Sequence, residues 1–179
     1  RTGACLVSVA TRPEHVAAIL ARQPEIMASG IISGQELEPL LDKPTVLIVG
    51  PGLGRSPWSE QLLQKAVATG LPMVMDADAL NIIAEGRVVP NPDGSRWVMT
   101  PHPAEAARLL NVSVEEVQAD RFTAVRKLQE KFNAVVLLKG AGTLIASADN
   151  DRIMVCPYGN PSMATAGMGD MLSGIIGGL

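Results

Sequence analysis

Three times along this chain a short apolar run ends at a glycine or polar residue and gives way to a helical pattern. These runs are residues 45–49, 72–75 and 97–99, ending at Gly50, Asp76 and Thr100. A fourth and more apolar run, 134–138, ends at Lys139 and is read as central. Strands alternating with helices predict an α/β protein with a mainly parallel sheet, right-handed crossovers and helices on both faces. In such a sheet the segments that follow the strands meet at one edge, where α/β proteins place their ligands. Weak signals carried by those segments therefore reinforce one another.

Composition narrows the class of protein. A chain of 179 residues fills one domain and needs no disulfide staples. It is 47% hydrophobic and 18% charged with a net charge of −3, which argues against a nucleic-acid partner. Aromatic residues at 3% leave little for base stacking. Cys5 and Cys156 match no metal spacing and read as reduced, buried thiols. No apolar run has membrane-spanning length and no signal-peptide pattern opens the chain, so a cytoplasmic protein is expected. Residues 4–10 read as a buried strand with nothing before it, and the last helix stops early, so both ends of this one domain read as cut from a longer protein.

Local signals place the candidate residues. Thr11-Arg12-Pro13-Glu14, Ser33-Gly34-Gln35-Glu36 and Ser113-Val114-Glu115-Glu116 read as capping boxes. The third opens one long amphipathic helix to about Phe132, with Val117, Phe122, Val125, Leu128 and Phe132 inward and Arg126, Lys127, Glu130 and Lys131 solvated. Gly50-Pro51-Gly52-Leu53-Gly54 lacks the third glycine of a dinucleotide fingerprint, and the chain has no Walker lysine. What remains is a turn whose backbone can approach a ligand, or a tight strand-to-helix connection. Asp78 is explained as a helix cap; Asp76, just past a strand, favours function. Pro101 and Pro103 hold His102 at another strand-to-helix junction. Lys139-Gly140-Ala141-Gly142-Thr143 suits a polyphosphate or ribose; otherwise it is a turn into a hairpin of residues 144–147 and 153–156.

The C-terminal stretch carries the most chemistry. Gly159-Asn160-Pro161 begins a turn, and Gly167-Met168-Gly169-Asp170 runs into an apolar helical pattern. Unpaired amides and the helix dipole bind anions at such a terminus. Asp170 would stand beside the anion, placed to accept a proton from an attacking hydroxyl, unless it is only a helix cap.

Taken together, Gly50-Pro-Gly-Leu-Gly, Asp76-Ala-Asp-Ala-Leu, Thr100-Pro-His-Pro-Ala-Glu, Leu138-Lys-Gly-Ala-Gly-Thr and Asn160-Pro-Ser-Met-Ala-Thr-Ala-Gly-Met-Gly-Asp resemble one family in order. It is the ADP/ATP-dependent NAD(P)H-hydrate dehydratase family, and the wording is most similar to the C-terminal domain of bifunctional bacterial repair enzymes. The resemblance implies a ribokinase-like three-layer sandwich. It also implies an activity: phosphorylation of the ring hydroxyl of the S-form of NADH or NADPH hydrate by ADP (or ATP), with Mg2+, followed by phosphate elimination. By the same resemblance Asp170 is the base and also contacts the hydrate. Lys139, Gly140, Ala141, Gly142, Thr143, Gly167 and Gly169 hold the adenine nucleotide. Gly52, Gly54, Asp76, His102 and Asn160 line the hydrate pocket. No protein-held metal is implied. A homo-oligomer is expected, with an epimerase domain in the same parent chain. The competing readings are a small-alcohol or vitamin kinase of the same fold, and a nucleotide-binding module without catalysis.

Overall fold

In the computed structural model, which describes residues 3–179, four strands wind side by side in sequence order. They are β3 (Leu47–Val49), β4 (Met73–Met75), β5 (Trp97–Met99) and β6 (Val135–Leu138), all parallel. Two antiparallel strands, β7 (Thr143–Ser147) and β8 (Asn150–Cys156), extend the sheet beyond β6. The crossovers are α3 (Pro57–Ala68), then α4 (Ala77–Glu85), then α5 (Pro103–Leu110), α6 (Val114–Ala119) and α7 (Arg121–Phe132). Consecutive strand order with one crossover hand keeps these helices on one face. There Met73, Met75, Trp97, Met99, Val136 and Leu138 join Leu63, Leu80, Leu109, Val125 and Leu128 in a single buried core.

The alternate residues point to the other face, as the two-residue period of a strand requires. Val74 is buried there, whereas its register neighbour Ile48 is 44% exposed. The final helix, α8 (Met168–Gly178), is what covers Val74. A Cβ on Gly177 would come within 2.7 Å of Ile48 Cδ1 and 3.8 Å of Val74 Cγ2, so the missing side chain lets α8 lie close to β3 and β4. Helices thus occupy both faces, as expected, but unequally.

Before the main sheet, β1 (Ser8–Thr11), α1 (Val16–Arg22) and β2 (Met27–Gly30) make a separate two-stranded parallel sheet. The buried strand expected at residues 4–10 is therefore shifted and alternately exposed, because it pairs with β2 and not with the core sheet. Ile31 and Leu37, the latter in α2 (Gly34–Leu37), pack with Leu62 of α3 as a second small cluster.

Several local expectations change. Thr11 forms no capping box; Arg12 is the N-cap residue and makes no side-chain cap bond. The single helix expected from Ser113 to Phe132 is two, broken at Asp120 (φ −144°, ψ 83°), whose carboxylate caps the second through Thr123 N at 2.9 Å. The break rotates the register, so Phe122 is 53% exposed while Val117, Val125, Leu128 and Phe132 are buried. Arg126, expected in solvent, instead holds the β7–β8 hairpin through Ser147 O and Asp151 O. Cys5 is exposed and Cys156 half-buried, so neither is buried as expected.

Candidate active site

The parallel strands deliver their C-terminal ends to one edge, and backbone bonds lace those ends together. Asp76 N donates to Val49 O at 3.1 Å, Thr100 N to Met75 O at 3.1 Å and Lys139 N to Pro101 O at 2.9 Å. Gly50 must be glycine. Its φ is +126°, and a Cβ there would stand 1.7 Å from Asp76 O.

Asp76 is 1% exposed at the N-cap position of α4, but its side chain does not cap. Oδ1 accepts from Lys139 Nζ at 2.8 Å and Oδ2 from Ser173 Oγ at 2.8 Å. Burial by itself would raise this carboxyl's pKa, but the Lys139 ammonium and the Ser173 and Thr100 hydroxyls outweigh it and hold the value below 3.8. The carboxylate is therefore charged at neutral pH. Asp78, expected as the helix cap, lies in the first turn of α4 and accepts from Gly54 N at 2.9 Å. It ties the glycine turn to the helix.

His102 and Glu105 open α5 as a reciprocal cap. His102 Nδ1 accepts from Ala104 N at 3.1 Å and Glu105 N at 3.4 Å, while Glu105 Oε2 accepts from His102 N at 2.8 Å. An accepting Nδ1 assigns the ring proton to Nε2, which faces Glu105 Oε1 at 3.4 Å. Glu105 is 5% exposed and lies 4.0 Å from Lys139 Nζ. Its pKa is pushed up by burial, against the lowering effect of the His102 amide, the imidazole and Lys139. One ammonium thus sits between two buried carboxyl groups at the sheet edge.

Over this cluster comes the N-terminus of α8. Gly167 (φ +85°) is its N-cap, followed by Met168, Gly169 and Asp170. Gly169, Ser173 and Gly177 repeat every four residues and so share one face. Gly177 meets the sheet, Ser173 bonds Asp76, and a Cβ on Gly169 would lie 3.4 Å from Lys139 Nζ and 3.6 Å from Asp76 Oδ2. That face sets the helix terminus directly against the lysine. Asp170, one residue further round, is exposed, and its carboxylate bonds to no described residue.

The turn after β6 presents donors. Gly140 O accepts from Thr143 Oγ1 at 3.2 Å, and the carbonyls of Leu138, Lys139 and Ala141 accept from the Arg121 guanidinium. No described residue accepts from the N–H groups of Gly140, Ala141 and Gly142. Three successive free amides with an ammonium nearby form the kind of concavity that takes an anion.

The structure therefore unites Asp76, Lys139, Gly169 and, through Glu105, His102. Gly52 (φ +66°) stands in open space, and Asn160 caps its own 3-10 turn through Ser162 N at 2.7 Å; neither touches the cluster. Arg121 and Ser173 are the residues that sequence reading overlooked. Ser173 left a trace, as a lone hydroxyl in an apolar helix; Arg121 left none, because the expected helix runs unbroken through it and only the break at Asp120 puts it in a first turn. Among the described residues no group of three or more His, Cys, Asp or Glu is placed to hold a metal. None of their helices is long and apolar enough to cross a membrane.

A sheet wound in this order, with a glycine-rich helix terminus over its edge, is the ribokinase-like fold. A ribokinase-like superfamily protein from Enterococcus faecalis, 30% identical, superposes with a TM-score of 0.85 over 99% of this chain and 61% of its own. The model of the NAD(P)H-hydrate dehydratase family matches residues 1–179, and the chain belongs to that family. It is 53% identical over its whole length to the bifunctional NAD(P)H-hydrate repair enzyme Nnr of Coxiella burnetii, of which it spans 36%. The ADP/ATP-dependent NAD(P)H-hydrate dehydratase of Bacillus subtilis, co-crystallised with ATP/Mg2+ and soaked with CoA, is 26% identical. It superposes with a TM-score of 0.80 over 99% of this chain and 64% of its own.

Proposed function

We propose that this chain is a dehydratase domain that returns the S-form of NADH or NADPH hydrate to the reduced dinucleotide at the expense of ADP or ATP. The observation that carries this reading is Asp170, an exposed carboxylate with no partner among the described residues, on the first turn of a helix whose glycine terminus abuts Lys139.

The residues divide the work as follows. Asp170 accepts the proton of the ring hydroxyl as its oxygen bonds to the terminal phosphorus. The amides at the start of α8, near Gly167 and Gly169, and the Lys139 ammonium stabilise charge on the transferring group. The free amides of Gly140, Ala141 and Gly142, with Thr143, hold the adenine nucleotide. Bound ADP supplies the phosphoryl group, leaving as AMP, and Mg2+ screens its phosphates. The carbon–oxygen bond of the phosphorylated ring then breaks with the push of the ring nitrogen's lone pair, and phosphate departs with the bonding electron pair. A proton lost from the adjacent ring carbon to the departing phosphate leaves its electrons as the new ring double bond and returns the lone pair to nitrogen. Gly52, Gly54, His102 and Asn160 face or border the hydrate, and Asp76 forms the floor beneath it through Lys139. A relative named bifunctional, nearly three times as long, fits a parent chain that also carries an epimerase.

The test is the recovery of dihydronicotinamide absorbance from NADH hydrate with the intact protein, with ADP, with ATP and with neither. Recovery that requires a nucleotide is expected. No recovery, together with phosphorylation of a sugar or vitamin alcohol, would place the protein among the small-alcohol kinases of this fold.

A further inference from the structure

Arg121 belongs to no motif of the site, yet the turn after β6 is built around it. Its Nη1 donates to Ala141 O at 2.7 Å, and its Nη2 to Leu138 O at 3.2 Å and Lys139 O at 3.4 Å. Gly140 (φ +151°) has no side chain where one would collide: a Cβ there would lie 2.8 Å from Arg121 Nη2. The placement violates two local preferences. A cation occupies the first turn of α7, at the positive end of the helix dipole, and Arg121 Nε is buried with no acceptor among the described residues. Departures of this kind persist where the surrounding structure uses them.

We propose that Arg121 is a positioning residue for nucleotide binding: it draws the carbonyls of Leu138, Lys139 and Ala141 to one side and, with Thr143 on Gly140 O, turns the amides of Gly140, Ala141 and Gly142 toward the ligand. Peptide geometry links the two effects, since a carbonyl and the following N–H lie in one plane and point in opposite directions. With Thr143 Oγ1 donating to Gly140 O, every carbonyl from 138 to 141 is occupied, while the amides of Gly140, Ala141 and Gly142 have no acceptor among the described residues. A lysine cannot replace the guanidinium, because one ammonium does not present a planar fork to three carbonyls.

This inference rests on the reading of residues 139–143 as the nucleotide turn, and the test separates the two. ADP binding is measured by titration on the intact wild-type protein, on Arg121→Lys and on Arg121→Ala. Kinetics with NADH hydrate and ADP run in parallel. Both variants are expected to bind ADP about tenfold or more weakly, with the KM for NADH hydrate unchanged. Guanidinium ion at low, non-denaturing concentration should restore affinity to Arg121→Ala. A purely structural role would lower the active fraction, and so kcat, without moving the ADP dissociation constant. Wild-type ADP affinity in Arg121→Lys overturns the inference even where Arg121→Ala does not fold. Failure of the wild type itself to bind ADP overturns the nucleotide reading and this inference with it.

Discussion

Lys139 Nζ lies 2.8 Å from Asp76 Oδ1, joining the end of β6 to the end of β4 across the intervening strand β5. The two residues are far apart in sequence, and the pair closes the floor of the site. Ser173 fastens the other carboxylate oxygen, so the pair also fixes how α8 sits over the sheet.

Removing one partner of such a pair leaves the other without compensation. Asp76→Asn is expected to destabilise the fold by about 3 kcal/mol at neutral pH. The native pKa of Asp76 lies below 3.8, so its contribution is complete above about that value and fades as pH falls toward the lower native pKa. Urea unfolding of wild type and variant across acid pH should therefore show two curves that converge below pH 3.8. Curves that stay parallel through this range would mean that the carboxylate charge does not stabilise the fold.

Asp170 has the opposite character, exposed and without a partner among the described residues. Asp170→Asn should leave stability and ADP affinity close to wild type while kcat falls about a thousandfold, the scale of a lost proton acceptor. Single-turnover kinetics with NADH hydrate and ADP check this. Turnover near the wild-type rate would refute the base assignment.

The glycines of the first turn separate folding from binding. Gly50→Ala drives a Cβ to 1.7 Å from Asp76 O at φ +126° and should cost roughly 3 kcal/mol or more. Gly52→Ala, at φ +66° with nothing within 4 Å, should cost only about 1 kcal/mol. Any loss of NADH-hydrate affinity should appear in the second variant without loss of fold. Thermal melts beside substrate titrations measure both; equal destabilisation of the two variants would contradict the geometry.

The sequence by itself determined the parallel strands, the helix terminus at Gly167 and the glycine turns, because each depends on neighbours within a few residues. The apolar run at 97–99 became β5 without change, and Gly167-Met168-Gly169-Asp170 became the start of α8 as its spacing requires. Family resemblance suggested the proposed substrate, which local physics could not. Tertiary structure alone decided the pairing of Asp76 with Lys139 and Ser173, and the clamp of Arg121 on the turn after β6. It also decided that residues 8–11 leave the main sheet and that Asp120 divides one helix into two. Those outcomes depend on contacts between residues distant along the chain. A single sequence carries no record of which buried donor meets which buried acceptor; only the packed sheet edge brings them within bonding distance.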